Sequence, residues 1–180
     1  YRREAPGLAV KAARALEARG VNLATITHLL ITSCTGFYAP GLDVDLIRLL
    51  NLTSGVHRTI IGFMGCYAAL PALRMAEQFC RARPDAIVLV VCLELCSLHV
   101  QTQSTHDSIL GNALFSDGAA GALVSARPPA ADQPALVLDG FLSAMAPEGE
   151  AEMAWEIGDR GFNLVLSSYV PDIISAARRT

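Results

Sequence analysis

The chain alternates short apolar runs with longer stretches in which apolar residues recur every three or four positions. The clearest runs are His28-Leu29-Leu30-Ile31-Thr32-Ser33, then Thr59-Ile60-Ile61-Gly62-Phe63-Met64, and the unbroken stretch 86–93. Runs of this length, β-branched and bounded by turn residues, predict buried strands. Stretch 86–93 is apolar throughout, as in a central strand covered on both faces. Helical spacing appears over 6–19, with apolar Leu8, Ala9, Ala12, Ala15 and Leu16 and a stop at Gly20. It appears again over 43–51, and after Cys66, where Tyr67, Leu70, Leu73, Ala76 and Phe79 recur. Residues 101–112 open polar and turn helical. Residues 119–125 and 136–144 predict two more strands, 115–118 a turn, and 128–134 and 147–152 polar loops. Residues 153–157 and 162–166 pair as a hairpin around Gly158-Asp159-Arg160-Gly161, and Val170-Pro171 opens a last helix. Strands alternating with helices predict an α/β layered domain with a largely parallel sheet.

One junction stands out chemically. The run 59–64 gives way to helical spacing at Cys66, with Gly62 and Gly65 to turn the backbone. A cysteine on or just before a first helical turn meets unpaired N–H groups and the positive end of the helix dipole. That field favours the thiolate, the nucleophilic form, and the same N–H groups suit an oxyanion on an attached acyl group. The plainer reading of any free cysteine is a small buried hydrophobe.

Composition narrows the classes. Of 180 residues, 52 % are apolar, and mean hydropathy is +0.39, so much of the chain is buried. The longest apolar run falls far short of the ~20 residues a membrane helix needs. A net charge of −3, with acids and bases interspersed, argues against nucleic acid or a membrane surface as partner. The cysteines, Cys34, Cys66, Cys80, Cys92 and Cys96, are odd in number and include no CxxC pair. A disulfide scaffold or zinc site is therefore not expected, and a reducing cytoplasm is. The chain opens on Tyr1 and closes on an amphipathic pattern without a cap, so it reads as a piece of a longer polypeptide.

Several motifs then occur in a fixed order. They are Thr32-Ser33-Cys34-Thr35-Gly36 with Pro40-Gly41, then Gly62-Phe63-Met64-Gly65-Cys66-Tyr67-Ala68-Ala69, and Val90-Val91-Cys92-Leu93-Glu94-Leu95-Cys96. Gly111-Asn112-Ala113-Leu114-Phe115-Ser116-Asp117-Gly118-Ala119-Ala120 follows, and finally Ile157-Gly158-Asp159, Gly161-Phe162 and Val170-Pro171. From near residue 6 to the end, the chain resembles type III polyketide synthases, the chalcone/stilbene synthase-like family of the thiolase fold. Its wording is most like that of bacterial alkylpyrone and alkylresorcinol synthases.

The resemblance implies a thiolase-like layered αβαβα fold, present mostly as its N-terminal half and incomplete. Residues 1–180 would be a partial, nucleophile-bearing domain, with 135–180 leading toward a missing C-terminal half. Cys66 matches the nucleophile that is acylated by a starter acyl-CoA and carries the growing polyketide. Phe115 matches the aromatic gatekeeper that helps orient malonyl-CoA for decarboxylation. Cys34, Cys96 and His99 match positions lining the elongation cavity, and Trp155 and Leu164 positions that shape it further out. Ala39-Pro40 matches a loop at a dimer interface, before a proline that is often cis. The resemblance further implies acyl-CoA and malonyl-CoA as substrates, no metal or bound cofactor, and a homodimer. The family's catalytic His and Asn would lie beyond Thr180, since none of His28, His57, His99 or His106 stands in its His motif.

Taken singly, these residues have simpler readings. Phe115 fits core packing before a turn, Trp155 packing on a sheet, and Cys34 and Cys96 buried filler. His99 fits a satisfied core histidine, and His106, in Ser104-Thr105-His106-Asp107, a loop anchor. Two rival functions remain at this point. One is a catalytically incomplete scaffold of the same fold, and the other a ketoacyl synthase III-type condensing enzyme.

Overall fold

The computed structural model describes residues 1–102, 105–129, 133–145, 149, 151–159 and 161–177. The loops expected at 128–134 and 147–152 fall partly outside these residues, and Ser104, Arg160, Arg178, Arg179 and Thr180 wholly so. The chain divides into two compact units. Residues 1–95 and 117–139 form the first, and 96–116 with 140–180 the second.

The first unit is built on a four-stranded sheet. Its strands are β1 (His28–Ser33), β2 (His57–Gly62), β3 (Ile87–Glu94) and β4 (Gly118–Ser125), in the order β2-β1-β3-β4. β1 pairs parallel with both β2 and β3, while β4 returns antiparallel along β3. The expected largely parallel sheet is therefore present, with one antiparallel edge.

Every residue of β1 is buried. Alternation along β1 and β3 feeds two separate cores. Leu29, Ile31, Leu89, Val91 and Leu93 pack with Ala5, Ala9 and Ala13 of helix α1 (Ala5–Glu17) and Leu42 and Leu46 of α2 (Leu42–Leu49). Leu30, Val88 and Val90 pack on Ala72, Ala76 and Cys80 of α3 (Ala69–Ala82). Of the expected stripe, Ala76 is buried and Leu73 and Phe79 pack partly buried against this core, while its first two residues do not. Tyr67 and Leu70 are 55 % and 59 % exposed, and the buried positions are small residues at four-residue spacing, Ala72, Ala76 and Cys80. Small side chains let helix and sheet backbones approach closely. The same holds for α1, where Gly121 of β4 faces the Ala12 carbonyl and a Cβ at 121 would lie 2.9 Å from that oxygen.

The second unit carries α4 (His106–Leu114), the hairpin β5 (Met153–Gly158) with β6 (Gly161–Leu166), and α5 (Val170–Ala177). The hairpin pairs as expected, Gly158 opposite Gly161, whose φ of +129° suits glycine. Thr105 caps α4 by accepting the Ser108 N–H at 3.2 Å, so Thr105 does the anchoring expected of the exposed His106.

Two other expectations change. Residues 115–117 are an extended link from α4 into β4 rather than a turn. Residues 136–144 form no strand. Leu136 is 94 % exposed, and among the described residues no strand pairs with this stretch. Apolar alternation makes a strand only when a neighbour takes up its hydrogen bonds.

His28, at the start of β1, is buried between two rings. Its centroid lies 4.8 Å from those of both His57 and Phe79, and its Nδ1 lies 2.8 Å from the Thr27 hydroxyl. Burial, then the neighbouring His57 and Arg83, hold its pKa below the usual histidine value. As pH falls through about 6.5, the unfolded chain takes up this proton before the folded one does, so stability falls toward acid. We expect urea unfolding to show this loss between about pH 7.5 and 5.5. His28→Phe, which keeps a ring in the stack, should flatten the decline. An unchanged slope in that variant would exclude His28 as its source.

Candidate active site

The chemistry-bearing residues of the first unit gather at the carboxyl ends of its parallel strands. Ser33 ends β1 opposite Gly62, the last residue of β2, and β3 runs two residues beyond Cys92, the partner of Thr32, to Glu94. Open parallel sheets place their sites at this edge.

After β2 the chain turns sharply. The positive φ values fall at Phe63 (+55°) and Gly65 (+81°), while Gly62, expected to help turn the chain, stays in the strand. A left-handed phenylalanine costs about 1–2 kcal/mol, so neighbouring contacts must hold it there. Its ring stands edge-on to Phe37, with centroids 6.3 Å apart. The Ala68 N–H then bonds the Gly65 carbonyl at 3.0 Å, closing a turn over Cys66 and Tyr67. α3 begins at Ala69, so Cys66 sits in the turn leading into the helix, three residues ahead of it. The cysteine is exposed.

Cys34, just after β1, is buried and tied down on both sides. Its backbone N–H reaches both Glu94 carboxylate oxygens, at 2.9 and 3.1 Å. Its sulfur accepts the Gly65 N–H at 3.3 Å. Burial pushes the Cys34 thiol pKa up, against these N–H donors, which favour the thiolate. The adjacent Thr35 donates to Glu94 at 2.7 Å and accepts the Leu95 N–H at 2.8 Å. Tyr1 donates to Ser33 at 2.8 Å, and burial raises its hydroxyl pKa. Glu94 thus clamps the strand end from which Cys34 projects. Sequence reading missed this role. A lone carboxylate closing an apolar strand run was the available signal, since such a group needs several donors.

In the second unit, five expected site residues line one cavity of about 430 Å³: Cys96, His99, Phe115, Trp155 and Leu164. Trp155 and Leu164 pair across the hairpin. The His99 imidazole stacks on Phe162 at 4.1 Å and 5°, and Trp155 meets both rings edge-on at 5.7 and 5.4 Å. Gln101 donates from Nε2 to the Phe162 carbonyl at 2.8 Å, and its own carbonyl accepts from Asn112 at 3.0 Å, tying the hairpin to α4. Phe115 lines the cavity from the carboxyl end of α4. Phe162, at the centre of the ring cluster, was not singled out from the sequence. The wall mixes aromatic and aliphatic side chains with about as many polar ones, amides, hydroxyls and the Asp107 carboxylate among them, which suits a ligand with both apolar and oxygen-bearing parts. The expected Ala39-Pro40 cis bond is present in the first unit, in the loop before α2.

The fold is a thiolase-like mixed α/β fold, of which the chain covers part. Residues 2–128 match the family described as "Chalcone and stilbene synthases, N-terminal domain", and the chain belongs to that family. It is 32 % identical over 177 residues to "Probable polyketide synthase 1" of Dictyostelium discoideum, covering 98 % of this chain and 6 % of that protein. Similar solved structures include the following two. One is the C-terminal type III polyketide synthase domain of "Steely1", a type I/III hybrid from Dictyostelium. Its TM-score is 0.89 at 32 % identity, over 97 % of this chain and 48 % of that one. The other is 1,3,6,8-tetrahydroxynaphthalene synthase from Streptomyces coelicolor A3(2), a bacterial type III polyketide synthase. Its TM-score is 0.82 at 32 % identity, over 92 % and 47 %. The chain therefore spans about half the length of these solved relatives, and a small fraction of the Dictyostelium protein. The family match selects the chalcone/stilbene synthase group over the ketoacyl synthase III alternative.

Trp155 is the only tryptophan, so its emission reports on the cavity wall. Phe162→Ala removes a ring from both His99 and Trp155. We expect a red-shifted emission as water reaches the indole, and a stability loss of about 1–3 kcal/mol for a partly buried ring. Unchanged emission would mean that Phe162 does not shield Trp155.

Proposed function

We propose that the protein to which this chain belongs is a type III polyketide synthase that uses Cys66 as its acyl carrier. The observation that carries the reading is Cys66 itself, exposed in the turn between β2 and α3 at the carboxyl edge of the sheet. The family match supports it.

In this reading the Cys66 thiolate attacks the carbonyl of an acyl-CoA, and the CoA thiolate leaves. Malonyl-CoA then loses CO2, and the resulting enolate carbon attacks the Cys66 thioester. A carbon–carbon bond forms, the carbon–sulfur bond breaks, and the thiolate is restored. Phe115 helps orient malonyl-CoA, while Cys34, Cys96, His99, Trp155 and Leu164 line the space for the growing chain. The resemblance implies a fatty starter, and cyclisation to a pyrone or resorcinol completes the cycle. The chemistry needs no metal or bound cofactor, only CoA thioesters as substrates. The His and Asn implied by the resemblance belong to the part of the family's length that this chain does not span.

Two further assignments accompany it. Among the described residues no disulfide joins the five cysteines, which suits a reducing cytoplasm, and no helix is long and apolar enough to cross a membrane. β2 is an edge strand with exposed Ile60, and it suits pairing with a second copy. Light scattering of the full-length protein should give a dimer, and Ile60→Lys should shift it toward monomer. A monomeric wild type would overturn the dimer.

The decisive experiment is intact-mass spectrometry of the full-length protein before and after incubation with a long-chain acyl-CoA. We expect one acyl adduct mapped to Cys66, abolished in Cys66→Ala and retained in Cys80→Ala. Equal loading in both variants removes Cys66 from the mechanism. No loading in the wild type favours the scaffold reading.

A further inference from the structure

The sulfur of Cys34 accepts the Gly65 N–H at 3.3 Å, and the neighbouring Met64 and Phe63 main-chain groups also favour its thiolate. Successive N–H groups around left-handed residues form a concavity suited to an electron-rich atom. Phe63 and Gly65 both have positive φ here, and Cys66 follows directly. The other side of Cys34 is fixed, because its own N–H is held by both oxygens of Glu94. An anchored sulfur therefore faces a strained turn that must keep its shape for Cys66 to be presented.

We propose that Cys34 is a positioning residue: its sulfur holds the Phe63–Met64–Gly65 turn in the conformation that presents Cys66. This goes beyond a cavity-lining role and rests on the reading of Cys66 as the acyl carrier. The hydrogen bonds engage the backbone before Cys66, so the effect reaches the reaction through geometry. A sulfur suits the task because it is large and polarizable enough to accept several donors at once.

The test uses Cys34→Ser, which keeps an acceptor, and Cys34→Val, which keeps bulk without one, in the full-length protein. Two readouts are taken: amide hydrogen exchange at Phe63, Met64 and Gly65, and the rate of acyl loading at Cys66. In Cys34→Val we expect exchange at these amides to rise about tenfold, as one lost hydrogen bond implies. Loading should slow by about tenfold to a hundredfold, as a misplaced nucleophile does. Cys34→Ser should stay within about threefold of wild type in both. Exchange at Leu30 and Val90, in the core, reports whether the fold survives. If Cys34→Val leaves both readouts unchanged while the wild type loads, the proposal is overturned and the acyl-carrier reading stands. Faster exchange with unchanged loading also overturns it. Equal losses in Ser and Val variants would assign the effect to packing and overturn it as well. If the wild type takes no acyl group at Cys66, that reading fails, and exchange alone decides whether Cys34 holds the turn.

Discussion

The parallel pairing of β1 with β3 is the constraint on which the first unit depends. Both strands are buried on two faces, so neither can slip by one residue without turning every apolar side chain to the wrong layer. That fixed register sets Ser33, Gly62 and Glu94 near one another at the same edge. The groups that carry the chemistry then need only short departures from it. Cys34 is one residue past its strand, and Cys66 is four residues past its own. A side chain set this close to a rigid edge inherits the rigidity, and Cys66 remains exposed there.

Burial and hydrogen bonding set the two cysteines apart. Cys34 is buried, its thiol pKa raised by desolvation, and its sulfur is already occupied by main-chain donors. Cys66 is exposed in a turn just ahead of a helix. The Glu94 carboxylate, partly buried, accepts from Cys34 and Thr35, donors that the fold supplies. Its donors come from sequence positions about 60 residues away, so this clamp forms only when β1 and β3 are paired.

The sequence was most legible where burial leaves one choice. β1 runs over the six residues expected, because an apolar run between turn residues has no alternative in a layered fold. The hairpin of β5 and β6 was equally clear from its glycines. Reading failed where a partner decides the outcome. Residues 136–144 alternate like a strand yet have no neighbour among the described residues. The buried face of α3 is made of Ala72, Ala76 and Cys80, because close approach to the sheet outweighs bulk. The turn takes a positive φ at Gly65, as expected, but its other left-handed residue is Phe63 rather than Gly62, since contacts from elsewhere hold it. The cavity residues Cys96, His99, Phe115, Trp155 and Leu164 were named from family likeness, and no spacing along the chain brings them together. Phe162, the ring joining His99 to Trp155, became visible only in three dimensions.

The close approach of Gly121 to the Ala12 carbonyl also limits how this sequence can drift. Position 121 lies in a run of small residues where alanine or serine looks harmless. Any side chain there pushes on the backbone of α1, whose first turn follows Tyr1, and Tyr1 bonds Ser33 at the edge that bears Cys34. A neutral-looking exchange on β4 is thereby coupled to the far end of β1. In a random library, glycine at 121 would be retained as stubbornly as a reactive residue, though it takes part in no reaction.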